Sequence, residues 1–423
     1  MNPLSQFWKR IRPYRARLAL LMAVVGPGII TANVDNDAGG ITTYSVAGAH
    51  YGYSLMWMMP LVGLALIIVQ EMSARLGVVT GKGLADLIRE RMGLRMTTLL
   101  LALLVFVNLA NTVSEFAGVA ASMEIFGISK FISVPLAAVG VWLLVLKGNY
   151  RTIERVFLLA SSIYLAYVIS GFLAKPDWGF VWQETISPTF HLDTGYITIL
   201  VTIIGTTIAP WMQFYQQSSI ADKGIKTDDY HYEVIDVVIG SLFAVIVASF
   251  ITIACAATIN KQGISIQTAE DAAMALGPLA GRYAQTLFAL GLLNASLFSA
   301  AILPLSTAYL VCEAFGWESS LSREIKEAKI FFTIYTALIV IGGMIILLPV
   351  KSLIQAMLTS QTLNGVLLPV ILVVMLVLIN DRRLMGKYAN RFVYNVIAWV
   401  TAVILILLAV FLVVITIFPN LFT

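Results

Sequence analysis

The sequence predicts an all-α polytopic membrane protein whose first and sixth membrane helices are broken inside the apolar layer. Three observations lead there. Hydrophobic residues make up 59% of the 423 residues and charged residues only 12%, with a mean hydropathy of +0.88, a balance outside the range of soluble globular chains. Apolar stretches long enough to span a bilayer recur along the whole chain, separated by short hydrophilic connections. Two of those stretches, five spans apart, carry helix-breaking residues in their middle, the pattern of inverted repeats around a central site.

Eleven spans are read at 18–45, 52–76, 97–125, 130–147, 155–174, 194–220, 234–257, 282–313, 329–350, 354–379 and 393–419. They divide the chain into a cytoplasmic segment 1–17, a first five-helix repeat 18–174, a second repeat 194–379 and an eleventh helix 393–419. Lys9, Arg10, Arg12, Arg15 and Arg17 precede a full-length span, which is not the plan of a cleavable signal peptide. Basic residues return at Lys82, Arg89, Arg91 and Arg95, at Lys147, Arg151 and Arg155, at Arg323, Lys326 and Lys329, and at Arg382, Arg383, Lys387 and Arg391. The connections between them are poorer in Lys and Arg, with Asp177, Glu184, Asp193, Glu270 and Asp271. With the segment Asp222–Glu233 mixed in charge and the weaker case, every second connection is basic, which places the N-terminus in the cytoplasm and the C-terminus outside a plasma membrane. The stretch 73–93 reads either as a helix lying at the interface or as a solvated charged loop.

Other classes are excluded by what is missing. A net charge of +4 gives no nucleic-acid signal, and Cys255 and Cys312 in apolar surroundings give neither a disulfide framework nor a thiolate site. Gly81-Lys82-Gly83 lacks the spacing and hydroxyl of a phosphate-binding loop, so pumping by ATP is not expected. No enzymatic constellation, cofactor or obligate protein partner is evident; the partners expected are the lipid bilayer and an ion. Met56, Met58 and Met59 read as packing, because no cysteine or histidine site accompanies them.

The first break is Asn33-Val-Asp-Asn-Asp-Ala-Gly-Gly-Ile41. Asp35 and Asp37 fall where hydrocarbon should surround the chain, and carboxylates at membrane depth are costly unless they line a cavity or meet a cation. Gly39 and Gly40 let the helix part. The stretch is either an ion site on a discontinuous helix or a short re-entrant turn in which Asp37 caps the next segment. The second break runs through Gly205, Thr206, Thr207 and Pro210. Proline removes one helical hydrogen bond, which frees the carbonyls of Thr206 and Thr207 for water or a cation. In the third span Asn108, Asn111 and Glu115 share a face; Glu115 either relays protons or is a structural acid. Gln361 and Asn364 lie one turn apart in the tenth span and can line the same cavity. Asp236 is read as a structural or gate ion pair, and Asn294, Ser296 and Ser299 as contacts between helices.

These residues resemble the NRAMP family of divalent metal transporters through most of the chain. Gly26-Pro27-Gly28, Ala47-Gly-Ala-His-Tyr-Gly-Tyr-Ser54, Gln70-Glu71-Met-Ser-Ala-Arg-Leu-Gly77 with Thr80-Gly81, Ser360-Gln361 through Pro369, and Asp381-Arg382-Arg383-Leu384-Met385-Gly386 carry the likeness. The resemblance implies a LeuT-like fold of two inverted five-helix repeats, alternating access, and a metal site between spans one and six. The metal set implied or lined up with it is Asp37, Asp35, Gly40, Thr206, Thr207, Ala209, Gln361 and Asn364, with Glu115, Trp211 and Gln216 at relay or coupling positions. The chain departs from the family pattern at several of these. The usual asparagine is Gly40, the usual methionine is Ala209, the two histidines align with Trp211 and Gln216, and the acid pair of span three is reduced to Glu115 with Thr112 beside it. Asp35 has no family counterpart.

Loss of a methionine sulfur leaves oxygen donors, which suit hard magnesium, and loss of side-chain volume suggests room for a partly hydrated ion. The pattern is similar to a divergent, magnesium-transporting branch of the family. The substrate expected on this ground is Mg2+, with Mn2+ tolerated. The missing histidines predict uniport not tightly coupled to protons, since a divalent cation entering a negative-inside cell gains roughly 4.6 kcal/mol per 100 mV. Competing expectations are a proton-coupled manganese or iron transporter, a small-solute symporter of the same fold, for which a cationic amine is compatible with Asp35 and Asp37, and a nontransporting metal sensor.

Overall fold

Helices account for nearly all of the protein that the computed structural model describes, residues 34–147, 161–191, 193–320 and 325–417. The segment 1–17, the first span as far as Asn33 with its Gly26-Pro27-Gly28 motif, Arg151, Arg155, Arg323 and the end of the last span from residue 418 lie outside the described residues. In chain order the main helices are α1 (Ala38–Tyr51), α2 (Met58–Thr80), α3 (Leu84–Glu124), α4 (Lys130–Lys147), α5 (Leu165–Leu173), α6 (Trp178–Ile186), α7 (Thr194–Thr207), α8 (Pro210–Lys223), α9 (Tyr230–Thr258), α10 (Ala284–Phe315), α11 (Lys329–Leu347), α12 (Leu353–Asn380) and α13 (Phe392–Ile417).

Among the described residues eight helical stretches are long and apolar enough to cross a membrane, and the shorter apolar helices Lys130–Leu146 and Ser162–Leu173 fall at the predicted fourth and fifth spans. The predicted third span starts earlier than its hydropathy indicates. The charged segment before it is helical from Leu84 and runs into the apolar part across a kink at Gly93, whose φ of 78° only glycine adopts readily. The alternative of a solvated loop at 84–92 is therefore set aside. Local signals explain the other ends. Asp193 caps α7 by accepting from the Tyr196 amide at 2.9 Å, Ser352 caps α12 through the Gln355 amide at 3.2 Å, and Pro210 opens α8 where its missing N–H is not needed. Met56, Met58 and Met59 are buried in the core, and both cysteines are buried and free.

Packing places the two breaks face to face. Helix α1 lies among α7, α9 and α12, while α3 packs along α10 and α12. Helices α7 and α12 approach backbone to backbone. A Cβ on Gly205 would overlap the Gln361 carbonyl and the Gly365 amide, and one on Gly365 would overlap the Val201 carbonyl. In a bilayer, where lipid is as apolar as leucine, such close packing of small residues is what joins helices. It also sets Gln361 directly behind the end of α7. At the far end of α2, Glu71 accepts from the hydroxyls of Tyr230 and Tyr394, and Arg75 bonds Glu71 (3.1 Å), Asn390 Oδ1 (2.6 Å) and the Tyr388 carbonyl (3.0 Å). That knot ties α2 to the start of α9 and to α13.

Candidate metal site

The chain is helical at Val34 and Asp35, leaves the helix at Asn36 and Asp37, and resumes it as α1. Asp37 is the N-cap: its backbone is extended and its carboxylate accepts from the Gly40 amide at 2.6 Å. The capping role and the ion-site role are not exclusive, since one carboxylate has lone pairs for both. Helix α7 ends at Thr207 and α8 begins at Pro210, with Ile208 and Ala209 between them outside helical pairing. Pro210 stands four residues after Thr206 and has no N–H to give it, so the Thr206 carbonyl lacks its helical donor.

Around Asp37 the polar groups are buried and arranged in layers. Gln361 Nε2 donates to both Asp37 oxygens at 3.3 Å. Gln361 Oε1 accepts from Asn364 at 2.7 Å, and Asn364 and Asn111 exchange amide hydrogen bonds at 2.9 and 3.0 Å. The carboxylate is thus held from α3 and α12 together. Glu115 Oε2 accepts from the Ala38 amide at 3.3 Å. Glu115 therefore stands beside Asp37, its carboxylate held by the amide of the next residue along the chain. Thr207 exchanges a hydrogen bond with the Tyr44 hydroxyl at 2.8 Å.

Three oxygens converge at Gly40. A Cβ there would lie 2.5 Å from the Asp35 carbonyl, 3.2 Å from the Thr206 hydroxyl and 3.4 Å from Asp37 Oδ1. The Asp35 carboxylate oxygens, the Asn36 amide and the Thr206 hydroxyl have no hydrogen-bond partner although each is buried. Unpaired buried carboxylate is expensive, so this corner is chemically suited to a cation. Among the described residues no three His, Cys, Asp or Glu side chains surround one point; the atoms gathered around Gly40 are carboxylate, hydroxyl and carbonyl oxygens.

Sequence reasoning places Asp35, Asp37, Gly40, Thr206, Thr207, Gln361 and Asn364 at or around the two breaks, and the structure brings these residues together. Ala209 sits at the second break, buried at the N-cap of α8. Trp211 and Gln216 lie further along α8. The Trp211 carbonyl accepts from Ser306 at 3.1 Å, and the Gln216 amide is buried without a partner. One expectation is corrected by geometry: the volume given up at Gly40 is not open room for a hydrated ion, because the Asp35 carbonyl occupies it. Tyr44 and Gln213 were not anticipated. With its amide in the orientation that satisfies its neighbours, Gln213 donates to the carbonyls of Ala209 (2.9 Å) and Pro210 (2.8 Å). Tyr44 stands seven residues after Asp37, two helical turns along the same face, and that spacing was a usable signal.

Against known families, the model described as Nramp, natural resistance-associated macrophage protein-like, matches residues 28–415. The chain belongs to the Nramp family. This Nramp protein is 27% identical over 416 residues to the divalent metal cation transporter MntH of Bacillus subtilis, covering 96% of this chain and 94% of the relative. It is 30% identical over 306 residues to MntH of Erwinia tasmaniensis, covering 69% and 72% of the two chains. Its fold is similar to that of the Eremococcus coleocola manganese transporter solved with an aromatic bis-isothiourea substituted compound, with a TM-score of 0.77, 22% identity, and 95% and 88% of the chains covered. The architecture is that of the LeuT-like and Nramp transporters. The protein is a multi-pass transporter of the plasma membrane and not an enzyme.

These likenesses overturn the expectation of a magnesium-specific uniporter. Relatives spanning nearly the whole chain are named for divalent metals at large, and the fold neighbour for manganese. The chemical argument for magnesium fails at an identifiable step. Carboxylate, carbonyl and water ligands suit manganese as well as magnesium, so the absence of sulfur does not separate the two ions. The argument for uniport rested on the missing histidines and gave little weight to Glu115, which the structure sets against the Ala38 amide beside Asp37.

Proposed function

We propose that this Nramp protein carries divalent metal cations, manganese foremost, through the plasma membrane by alternating access. The ion sits between the two helix breaks, with Asp37 as its main ligand. Asp35, the freed Thr206 carbonyl and Gln361 complete or steady the set, while Gly40, Thr207, Ala209 and Asn364 shape its walls. The observation that carries this reading is the convergence of three oxygens at Gly40 beside the unpaired Asp35 carboxylate. In the same reading the two breaks belong to inverted five-helix repeats, residues 18–174 and 194–379, within eleven spans, with the N-terminus in the cytoplasm and the C-terminus outside.

The place of Glu115 beside Asp37, against the Ala38 amide, supports coupling to protons. A divalent cation at Asp37 and a proton on a neighbouring carboxyl group compete electrostatically, and Glu115 is placed to carry such a proton. Trp211 and Gln216 line the way on along α8 without titrating.

The test is Mn2+ uptake into proteoliposomes loaded with a pH-sensitive dye. Wild type is expected to take up manganese with acidification of the lumen at a fixed ratio. Asp37→Ala should insert and fold but transport nothing, and Glu115→Gln should uncouple uptake from acidification. Undiminished uptake by well-folded D37A vesicles would remove Asp37 from the site.

A further inference from the structure

A second polar cavity lies away from the metal site, at the end of the bundle where α5 and α9 finish and α10 begins. It measures about 850 Å3, and its walls include Leu173, Lys261, Gln262, Met274, Arg282 and Gln285. Two cations line it and no acid does.

Two carboxylates on neighbouring turns are committed elsewhere. Asp271 accepts from the Gln267 and Thr268 amides at 2.9 and 2.8 Å and from the Thr268 hydroxyl at 3.0 Å, closing its own helix cap. Asp177 accepts from the Gly179 and Phe180 amides at 3.0 and 3.2 Å. Neither Lys261 nor Arg282 takes part in the ion pairs found among the described residues. Arg282 is held in place by an uncharged neighbour: its Nη2 donates to the Tyr283 hydroxyl at 2.8 Å, and its guanidinium lies 4.8 Å from that ring's centroid. The fork keeps its remaining N–H groups for a ligand. Below the cavity the surface turns apolar at once. Ile169, Phe172 and Leu173 on α5 are about half exposed, as is Leu290 on α10, in a protein whose exposed apolar flanks face acyl chains. Tyr283 and Trp178 mark the level at which aromatic side chains meet the polar edge of a bilayer.

A cationic, carboxylate-free pocket that opens onto an apolar flank matches a ligand with a phosphate at one end and hydrocarbon at the other. We infer that this cavity binds the phosphate headgroup of an anionic phospholipid, with Lys261 and Arg282 as its ligands and the acyl chains lying along α5. The pocket is joined to the transport core by one link. Asn260, next to Lys261, donates to the Ala49 carbonyl at 2.8 Å, and Ala49 belongs to α1, the helix that Asp37 caps. A bound headgroup would therefore sit beside the far end of the helix that carries the metal site.

Native mass spectrometry of the full chain released from nanodiscs of mixed phosphatidylglycerol and phosphatidylcholine tests this. Wild type is expected to retain phosphatidylglycerol over phosphatidylcholine. K261Q/R282Q should lower that preference roughly thirtyfold, the factor given by two basic residues at about 1 kcal/mol each, while K261R/R282K keeps it. Both pairs are exposed, so the fold is not at stake. Equal retention of the two lipids by wild type, or an unchanged preference in K261Q/R282Q, would overturn the proposal. Displacement of the lipid by inorganic phosphate would assign the same cations to a soluble anion and overturn the lipid reading too.

Discussion

Replacing Gly40 by alanine is the sharpest probe of the site. The added methyl would stand 2.5 Å from the Asp35 carbonyl, 3.2 Å from the Thr206 hydroxyl and 3.4 Å from Asp37 Oδ1. The closest of these is backbone and cannot swing aside as a side chain does. Relief requires moving the helix end at Asp35 or opening the gap between α1 and α7. Overpacking of this kind costs about 1–3 kcal/mol. If the strain is released by withdrawing the oxygens from the ion, manganese affinity falls roughly five- to 150-fold, at about 1.4 kcal/mol per tenfold. Gly140→Ala is the control. It lies within α4, nothing comes within 4 Å of a Cβ there, and its φ is ordinary, so the protein should lose nothing. The assays are Mn2+ binding by isothermal titration in detergent and thermal melting with and without metal. G40A is expected to bind weakly and melt lower, and G140A to match wild type. A G40A protein with wild-type affinity and melting temperature would show that the three oxygens do not close on this face, and the reasoning about the site would be wrong.

Other outcomes follow from the surrounding contacts. Gln361→Leu removes the donor to both Asp37 oxygens and the acceptor for Asn364; manganese affinity should drop roughly 10–100-fold, as for loss of an outer-sphere partner, with the fold retained by circular dichroism. Asn111→Leu leaves the buried Asn364 Oδ1 without its donor and should cost about 1–3 kcal/mol in detergent-unfolding experiments, and N111L/N364L should not recover that loss, because Gln361 Oε1 then loses its Asn364 donor. Manganese at about a hundred times its Kd should stabilise wild type by about 2.7 kcal/mol and leave Asp37→Ala unmoved in the same melting assay. A D37A protein stabilised as much as wild type would place the ion elsewhere.

The class of the protein, the apolar helices among the described residues and the location of both breaks were legible in the sequence because each has a local cause. Apolar length makes a span, Pro210 and Gly205 interrupt one, and Asp35 and Asp37 in an apolar run have no cheap place except against a cation or water. The early start of α3 was not legible. The charged residues between Leu84 and Arg95 lower hydropathy without lowering helix propensity, so the apolar signal begins after the helix does. The choice of ion did not follow from residue types either. Oxygen donors are shared by manganese and magnesium, and the relatives that span the chain are named for divalent metals at large.

What the sequence determined by itself is therefore what neighbours along the chain decide: helix, break, cap and membrane depth. What the tertiary structure alone decided is which groups from distant spans share a point. Glu115 and Asp37 are 78 positions apart and Gln361 is 324 from Asp37, and no periodicity ranks those partners above the other buried polar residues. Two glycines did, Gly205 and Gly365, by letting α7 and α12 touch backbone to backbone and so setting Gln361 behind the break. The space at Gly40 is taken by the Asp35 carbonyl, across the turn at Asn36 and Asp37. A residue's missing volume is visible in a sequence, but whether it becomes a cavity depends on what packs into it.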